Sequence, residues 1–336
     1  QKRLQARYGA FGVESKEPEP PPDPFLDNYF RETLRILGAV LLGSFAVAVL
    51  GKNGNYLFAL GLAYALFRIT KKPIHIAARF FLVLALFIES PVEFPGEYVG
   101  VLPFGHAPLD PANSAFFLIP SVSMPIFLLF AFWLLYTGRQ VNKKYDPPPF
   151  WAKRVLYIFL AGVITLWVWG ILGGGDFTKS ILQTRHLLML PIIGLAFLWT
   201  MRGREDLAAT GTIFVTVALV RSVILILSFA WFVKSGFTPE YVTTHSDTVL
   251  FVTAILILIA HAIEERNRKT TLRAIGIALV ILVAIAMNNR RIAFVGLGAA
   301  PLVMYFALKP SAGKRRVTKW MLIVVPLVAA YATIGS

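Results

Sequence analysis

Long apolar runs recur along almost the whole chain, and they constrain its fold more than any other feature. A helix needs about 20 mostly apolar residues to cross a bilayer, and somewhat fewer where the membrane thins. The fold class is therefore predicted to be all-α, a polytopic transmembrane helical bundle of about eleven spans, with a range of about 10 to 12. The runs lie at residues 36–50, 56–69, 74–88, 115–136, 155–172, 186–200, 207–233, 248–263, 274–287, 292–308 and 321–334.

Composition excludes a soluble globular protein, because 57% of the residues are hydrophobic and only 15% are charged. Residues 1–33 are polar and rich in proline, so they are predicted to form a cytoplasmic tail, and residues 34–336 the transmembrane domain. The net charge of +15 does not point to nucleic acid, because the cations lie in short clusters between the apolar runs. The absence of cysteine excludes disulfides and thiolate metal sites.

The distribution of lysine and arginine predicts the orientation. With a cytoplasmic N-terminus, 26 of the 33 cations fall in inside segments, as the positive-inside rule requires. External loops are then expected near residues 89–114, 173–185, 234–247 and 288–291, the first forming a small cap or a re-entrant turn. The cations on the external side are Lys52, Lys179, Arg185, Lys234, Arg290 and Arg291.

The connection Asn288-Asn289-Arg290-Arg291 joins two apolar runs at the external side. Its two guanidinium groups and two carboxamides form a dense set of hydrogen-bond donors, which suits a phosphorylated ligand. The alternative is that Arg290 and Arg291 only anchor a helical hairpin at the lipid headgroups.

Arg221 lies inside an apolar run, about 21 Å from the cytoplasmic end of its span in a hydrocarbon core about 30 Å thick. It is therefore expected in the external half of the bilayer. An arginine at that depth is costly unless it faces water or a partner, so it indicates either a functional site or a structural ion pair.

Two further positions are candidates on the same side. Arg185 and His186 are expected to open a helix from the outside, and Arg185 can join Arg221, Arg290 and Arg291 in one anionic site. Asp176 follows three glycines, where it can bind a sugar hydroxyl or a cation, or cap a helix.

The sequence His245-Ser246-Asp247 offers a candidate catalytic base, because histidine titrates near neutrality and an adjacent carboxylate can orient it. The alternative is an idle surface histidine. No cofactor is expected: the five histidines show no zinc spacing, and Gly173-Gly174-Gly175 lacks the lysine and spacing of a phosphate-binding loop.

These features resemble the O-antigen ligase and O-antigen polymerase family of bacterial envelope glycosyltransferases, which act in lipopolysaccharide and other polysaccharide biosynthesis. The resemblance covers roughly residues 173–336. It rests on an external arginine in mid-chain, a second one about seventy residues later at a helical hairpin, and three short motifs. The motifs are Gly174-Gly175-Asp176-Phe177 with Gln183-Thr184-Arg185, Arg221, and Asn289-Arg290-Arg291 followed by Ile292-Ala293-Phe294-Val295-Gly296.

The resemblance implies that the arginines bind the diphosphate of an undecaprenyl-diphosphate-linked glycan, with Arg221 and either Arg290 or Arg291 in that role. The implied partners are this donor, a glycan or lipid acceptor, and the lipids of the bacterial inner membrane. The family also uses a histidine in a large periplasmic loop after the hairpin. This chain stops at Ser336, where that loop would begin, so either the chain is truncated at its C-terminus and the loop is missing, or the activity is missing.

Two other functional classes fit the same residues. A transporter or flippase for an anionic or lipid-linked substrate would use these arginines for binding without chemistry. The apolar runs contain almost no aspartate or glutamate, which argues against a proton-coupled carrier. A structural subunit of an envelope assembly is the third alternative.

Overall fold

The computed structural model describes residues 28–50, 52–87, 126–141, 150–201, 204–234, 236, 245–264, 268–288, 291–307, 314–315 and 318–319. Within these ranges the ten elements of the chain are all α-helices, as the apolar runs predict. They are α1 (Asn28–Leu50), α2 (Lys52–Ile69), α3 (Ile74–Phe87), α4 (Ile126–Val141), α5 (Phe150–Leu172), α6 (Phe177–Thr200), α7 (Arg204–Lys234), α8 (His245–Glu264), α9 (Arg268–Asn288) and α10 (Arg291–Ala307).

Helix α7 is the centre of the bundle. It packs against α1, α3, α8 and α9, and its buried residues Ile213, Val215, Val217, Ala218 and Leu225 supply much of the first core. These residues are spread around the helix and not confined to one stripe, which is the pattern of a helix enclosed by others. The same apolar sequence that predicts a membrane span therefore also makes α7 the central helix.

A second core lies beside the first and joins α2, α4 and α6 to α1 and α3. Its largest fully buried side chain is Phe81 of α3, whose ring lies 5.4 Å from that of Phe130 and 6.1 Å from that of Phe197, between centroids. Because α3 contributes to both cores, it connects the two halves of the bundle.

Helix α5 packs on α6 and leaves most of its apolar surface exposed, with Val163 as its buried residue. Trp151 and Trp169 lie near its two ends and are 71% and 76% exposed. Their separation of 18 residues corresponds to about 27 Å along a helix. Tryptophans at this spacing match the two interfaces of a bilayer, so α5 has the character of a lipid-facing span.

Glycines end two of the helices. Gly174 has φ of 95°, and next to it Gly173 N donates to Trp169 O at 2.9 Å and Gly175 N to Gly170 O at 3.0 Å. Gly236, with φ of 79°, closes α7 in the same left-handed conformation. These φ values favour glycine, so the triple glycine of the sequence serves here as the C-terminal cap of α5.

At the predicted cytoplasmic end, Arg79 of α3 is paired with Asp206 in the first turn of α7. Its Nη2 lies 2.6 Å from Asp206 Oδ1, and its guanidinium lies 4.6 Å from the centroid of the Tyr29 ring. Asp206 also follows the start of a helix, where a carboxylate is favoured by the helix dipole. These contacts connect α1, α3 and α7 at that end of the bundle.

Three of the described helices are long and apolar enough to cross a membrane: α5, α7 from Glu205 to Trp231, and α9 from Lys269 to Asn288. Others are apolar but shorter, such as α3, whose 14 residues span about 21 Å. This supports membrane association and leaves the count of eleven spans unconfirmed. The predicted span at 321–334 and the external loop at 89–114 lie outside the described residues.

Helices α1 and α6 begin eight and nine residues before their apolar runs. Helix α1 starts at Asn28, within the segment predicted to be the polar tail, and α6 starts at Phe177 instead of residue 186. The prediction that Arg185 and His186 open a helix is therefore wrong, because both lie after its first two turns. Helical periodicity continues through the polar sequence after Asp176, which hydropathy alone does not detect.

Candidate functional site

Arg221 on α7 is held at the predicted external end of the bundle by two neighbouring helices. Its Nε forms an ion pair with Oδ1 of Asp247, in the first turn of α8. Its Nη1 donates to the backbone oxygens of Leu86 at 3.2 Å and Phe87 at 3.0 Å, at the end of α3. The guanidinium therefore joins α3, α7 and α8.

Each of these acceptors suits a guanidinium physically. The last carbonyl groups of a helix lack partners within it and carry the negative end of the helix dipole, so the end of α3 attracts a cation. Asp247 supplies a full negative charge, and its side chain is only 4% exposed, against 15% for that of Arg221. A buried charge of either sign is costly alone, so each side chain compensates the other.

A second polar contact lies one residue further along α8. Nδ2 of Asn288, the last residue of α9, donates to Oγ1 of Thr248 at 3.3 Å, and both side chains are buried. Asp247 and Thr248 are adjacent at the start of α8. Asp247 binds Arg221 of α7, and Thr248 binds the last residue of α9.

The placement of Asn288 corrects part of the sequence interpretation. The sequence predicts its carboxamide in the donor cluster of the hairpin, but Asn288 is 1% exposed and its carboxamide binds Thr248. Asn288 therefore anchors the hairpin to α8. The hairpin arginines follow Asn288 in the sequence after one further residue.

Ser222 is the next polar residue of α7 and is fully buried. Its Oγ has no hydrogen-bond partner in the part of the chain that the structure describes. An unsatisfied buried hydroxyl is uncommon, because leaving one without a partner costs about 1 to 3 kcal/mol.

The other predicted site residues are described only in part. Asp176 directly precedes α6 and is exposed, and its carbonyl oxygen accepts from Ser180 N at 2.9 Å, which fits the capping alternative. Arg185 lies within α6, His245 begins α8 and Arg291 begins α10, but their side chains lie outside the description. Arg290 also lies outside the described residues. A shared site for these arginines with Arg221 stays a prediction.

The sequence interpretation did not identify Asp247 as the partner of Arg221. It assigned this carboxylate to an external loop and to the orientation of His245, whereas the structure places it in a helix against Arg221. The available signal was physical: an arginine inside a span needs a partner at the same depth, and Asp247 is the acid that begins the next apolar run.

The Arg221–Asp247 pair also changes the charge of the predicted anion site. The two charges cancel, so a net positive charge at this end has to come from other cations, such as Arg290 and Arg291. An anion that approaches Arg221 competes with Asp247 and with the α3 carbonyl oxygens for the guanidinium.

Comparison with known proteins does not assign the chain to a family: no family model matches it, and neither a curated protein nor a solved structure does.

Proposed function

We propose that the chain is a bacterial envelope glycosyltransferase that ligates or polymerises undecaprenyl-diphosphate-linked glycan at the periplasmic face of the inner membrane. The observation that carries the proposal is the position of Arg221, an arginine held by an ion pair with Asp247 and by the α3 carbonyl oxygens at the predicted external end of an apolar bundle. A fixed guanidinium at lipid depth suits the diphosphate of a membrane-embedded donor.

The anchor between Asn288 and Thr248 supports a site that includes the hairpin. It holds the end of α9 beside the helix turn that binds Arg221, and Arg290 and Arg291 follow within a few residues. Those two cations would supply the net positive charge that Arg221 and Asp247 together lack. A diphosphate, with charge on both phosphates, would then bridge the hairpin and α7.

In the proposed reaction, a hydroxyl of the acceptor attacks the anomeric carbon of the donor sugar. The bond between that carbon and the diphosphate oxygen breaks, and the diphosphate leaves with the bonding electron pair. Arginines that face the leaving oxygens stabilise the negative charge as it develops. They stabilise the transition state more than the bound substrate, so the barrier to transfer falls. His245, at the start of α8, is the proposed acceptor of the hydroxyl proton.

A transporter or flippase remains the second candidate, and the ion pair itself favours it. A buried arginine and aspartate on different helices can separate when an anion takes the place of the carboxylate, and such an exchange of partners can open one side of a carrier.

One reconstitution experiment separates the two candidates. The full chain is placed in vesicles with a fluorescent undecaprenyl-diphosphate glycan in the outer leaflet and an acceptor glycan outside. The glycosyltransferase proposal predicts a new glycosidic bond, detected as a heavier glycan, with release of undecaprenyl diphosphate. Donor that moves to the inner leaflet with its glycan unchanged would instead identify a flippase.

A further inference from the structure

A groove at the predicted cytoplasmic end of the bundle is lined by cations from two helices and by the end of a third helix. It has a volume of about 540 Å³ and lies between the last turn of α4, the first turns of α5 and the end of α6. We call this the basic groove, lined by Arg139, Phe150, Lys153, Arg154, Tyr157, Ile158, Ala161 and Trp199.

The charge of the basic groove is entirely positive among the residues that the structure describes. Arg139 comes from α4 and Lys153 and Arg154 from α5, and the described lining contains no carboxylate. Three like charges around one groove repel one another, so an anion placed between them is stabilised by all three.

Aromatic rings orient these cations. The guanidinium of Arg139 lies 6.0 Å and the ammonium of Lys153 5.7 Å from the centroid of the same Trp199 ring. Arg154 lies 5.8 Å from the centroid of Phe150. Cation–π contacts of this length hold long side chains in position, which lowers the entropy that a ligand must remove on binding.

The groove continues from its cations onto apolar surface. Ile158 and Ala161 follow Arg154 at spacings of four and seven residues, so they lie on the same face of α5, one and two turns deeper into the apolar segment. Trp151, at the start of that segment, marks the interface level. A ligand with an anionic head and an apolar tail matches this order, whereas a free phosphate would use only the cations.

We infer that the basic groove binds an anionic phospholipid of the cytoplasmic leaflet, with its phosphate among Arg139, Lys153 and Arg154 and an acyl chain along Ile158 and Ala161. The positive-inside rule alone accounts for cations on this side, but it does not require them to converge from separate helices on one groove with an apolar extension. The inference does not depend on the proposed glycosyl transfer.

Native mass spectrometry of the detergent-purified chain tests it by measuring the affinity of the first bound lipid. The groove variant is Arg139→Gln, Lys153→Gln, Arg154→Gln. The matched control, Arg68→Gln, Lys71→Gln, Lys72→Gln, removes the same charge from exposed positions on the same side. The wild type and the control should bind phosphatidylglycerol at least about tenfold more tightly than phosphatidylcholine with the same acyl chains, and the groove variant should lose this preference.

Three results would overturn the inference. They are equal affinity for the two lipids in the wild type, an equal loss in the control and groove variants, or displacement of the lipid by millimolar inorganic phosphate. The last result would identify a site for a soluble anion.

A second measurement uses only the wild-type chain, so it does not depend on the variants folding. Phosphatidylglycerol with a photoreactive group near its head should attach to the peptide that contains Phe150 to Tyr157. Attachment spread evenly over the basic segments of the chain would contradict a defined site.

Discussion

Arg221 on α7 and Asp247 on α8 form an ion pair near one end of an apolar helical bundle, and the same guanidinium donates to two carbonyl oxygens at the end of α3. The sequence left two interpretations open for Arg221, a functional site and a structural ion pair, and both are compatible with this contact. The ion pair fixes the arginine in place, and under the proposed function the same guanidinium also binds the diphosphate of the donor. Variants of the two residues can separate these roles.

The first prediction concerns the stability of this pair. Arg221→Gln and Asp247→Asn should each lower the free energy of unfolding by about 3 kcal/mol, because each leaves the other charge buried without its partner. The double variant leaves no charge unpaired, so it should be more stable than the sum of the two losses predicts. Thermal unfolding in detergent measures all four proteins. Strictly additive losses would show that the pair contributes no coupling.

The second prediction concerns the anchor of the hairpin. Asn288→Ala should destabilise the protein by about 1 to 3 kcal/mol, because it removes a buried hydrogen bond and leaves a small cavity at the end of α9. Thr248→Val keeps the volume and removes only the hydroxyl, so its cost should be smaller. Thermal unfolding measures both variants, and an Asn288→Ala protein as stable as the wild type would contradict the anchoring role.

The third prediction tests the contact between α4 and α6. A Cβ atom at Gly138 would lie 2.6 Å from Thr200 Cγ2 and 3.3 Å from Trp199 O, so Gly138→Ala should cost about 1 to 3 kcal/mol. Adding Thr200→Ser should recover part of this loss, because it removes Cγ2 and keeps the hydroxyl that donates to Ala196 O. Thermal unfolding provides the measurement.

Gly162→Ala is the matched control for Gly138→Ala, because nothing lies within 4 Å of the added Cβ. It should leave stability unchanged or raise it slightly, since alanine favours helix more than glycine does. Equal effects at the two glycines would contradict the close approach of α4 and α6.

The sequence was sufficient to predict the helical class, because that class follows from the spacing of apolar residues. The depth of Arg221 in the bilayer stays a prediction. It placed the start of α6 too late, because the polar turns from Phe177 to Arg185 are helical without being apolar. Hydropathy detects the segments that contact lipid or a hydrophobic core. It does not detect the polar turns of a helix that extend beyond such a segment.

The candidate site was predicted less completely because its contacts join residues distant in sequence. The pairing of Arg221 with Asp247 and the approach of the α3 carbonyl oxygens depend on how three helices pack. Asn288 was interpreted from its neighbours in the sequence, which are polar, although its position at the end of α9 turns it towards α8. Local composition does not determine which way the last residue of a helix faces.

The fourth prediction concerns topology. The chain contains no cysteine, so single cysteines at positions 289 and 314 can be labelled with a reagent that does not cross membranes. In intact cells, position 289 should react and position 314 should not, because the charge count places the first outside and the second in the cytoplasm. The reverse pattern would invert the topology and move Arg221 to the cytoplasmic half.

The fifth and most direct measurement is glycan transfer from purified undecaprenyl-diphosphate donor by Arg221 variants. Arg221→Lys keeps the charge but lacks the planar fork, so it should be impaired, and Arg221→Ala should be slower by about thirty- to a thousand-fold, equivalent to about 2 to 4 kcal/mol. The Arg221→Gln, Asp247→Asn double variant controls for stability, because it lacks the guanidinium without leaving a charge unpaired. If Arg221 binds the diphosphate, the double variant should fold but fail to transfer glycan. Wild-type rates of transfer in the double variant and in Arg221→Ala would contradict a role for Arg221 in binding diphosphate.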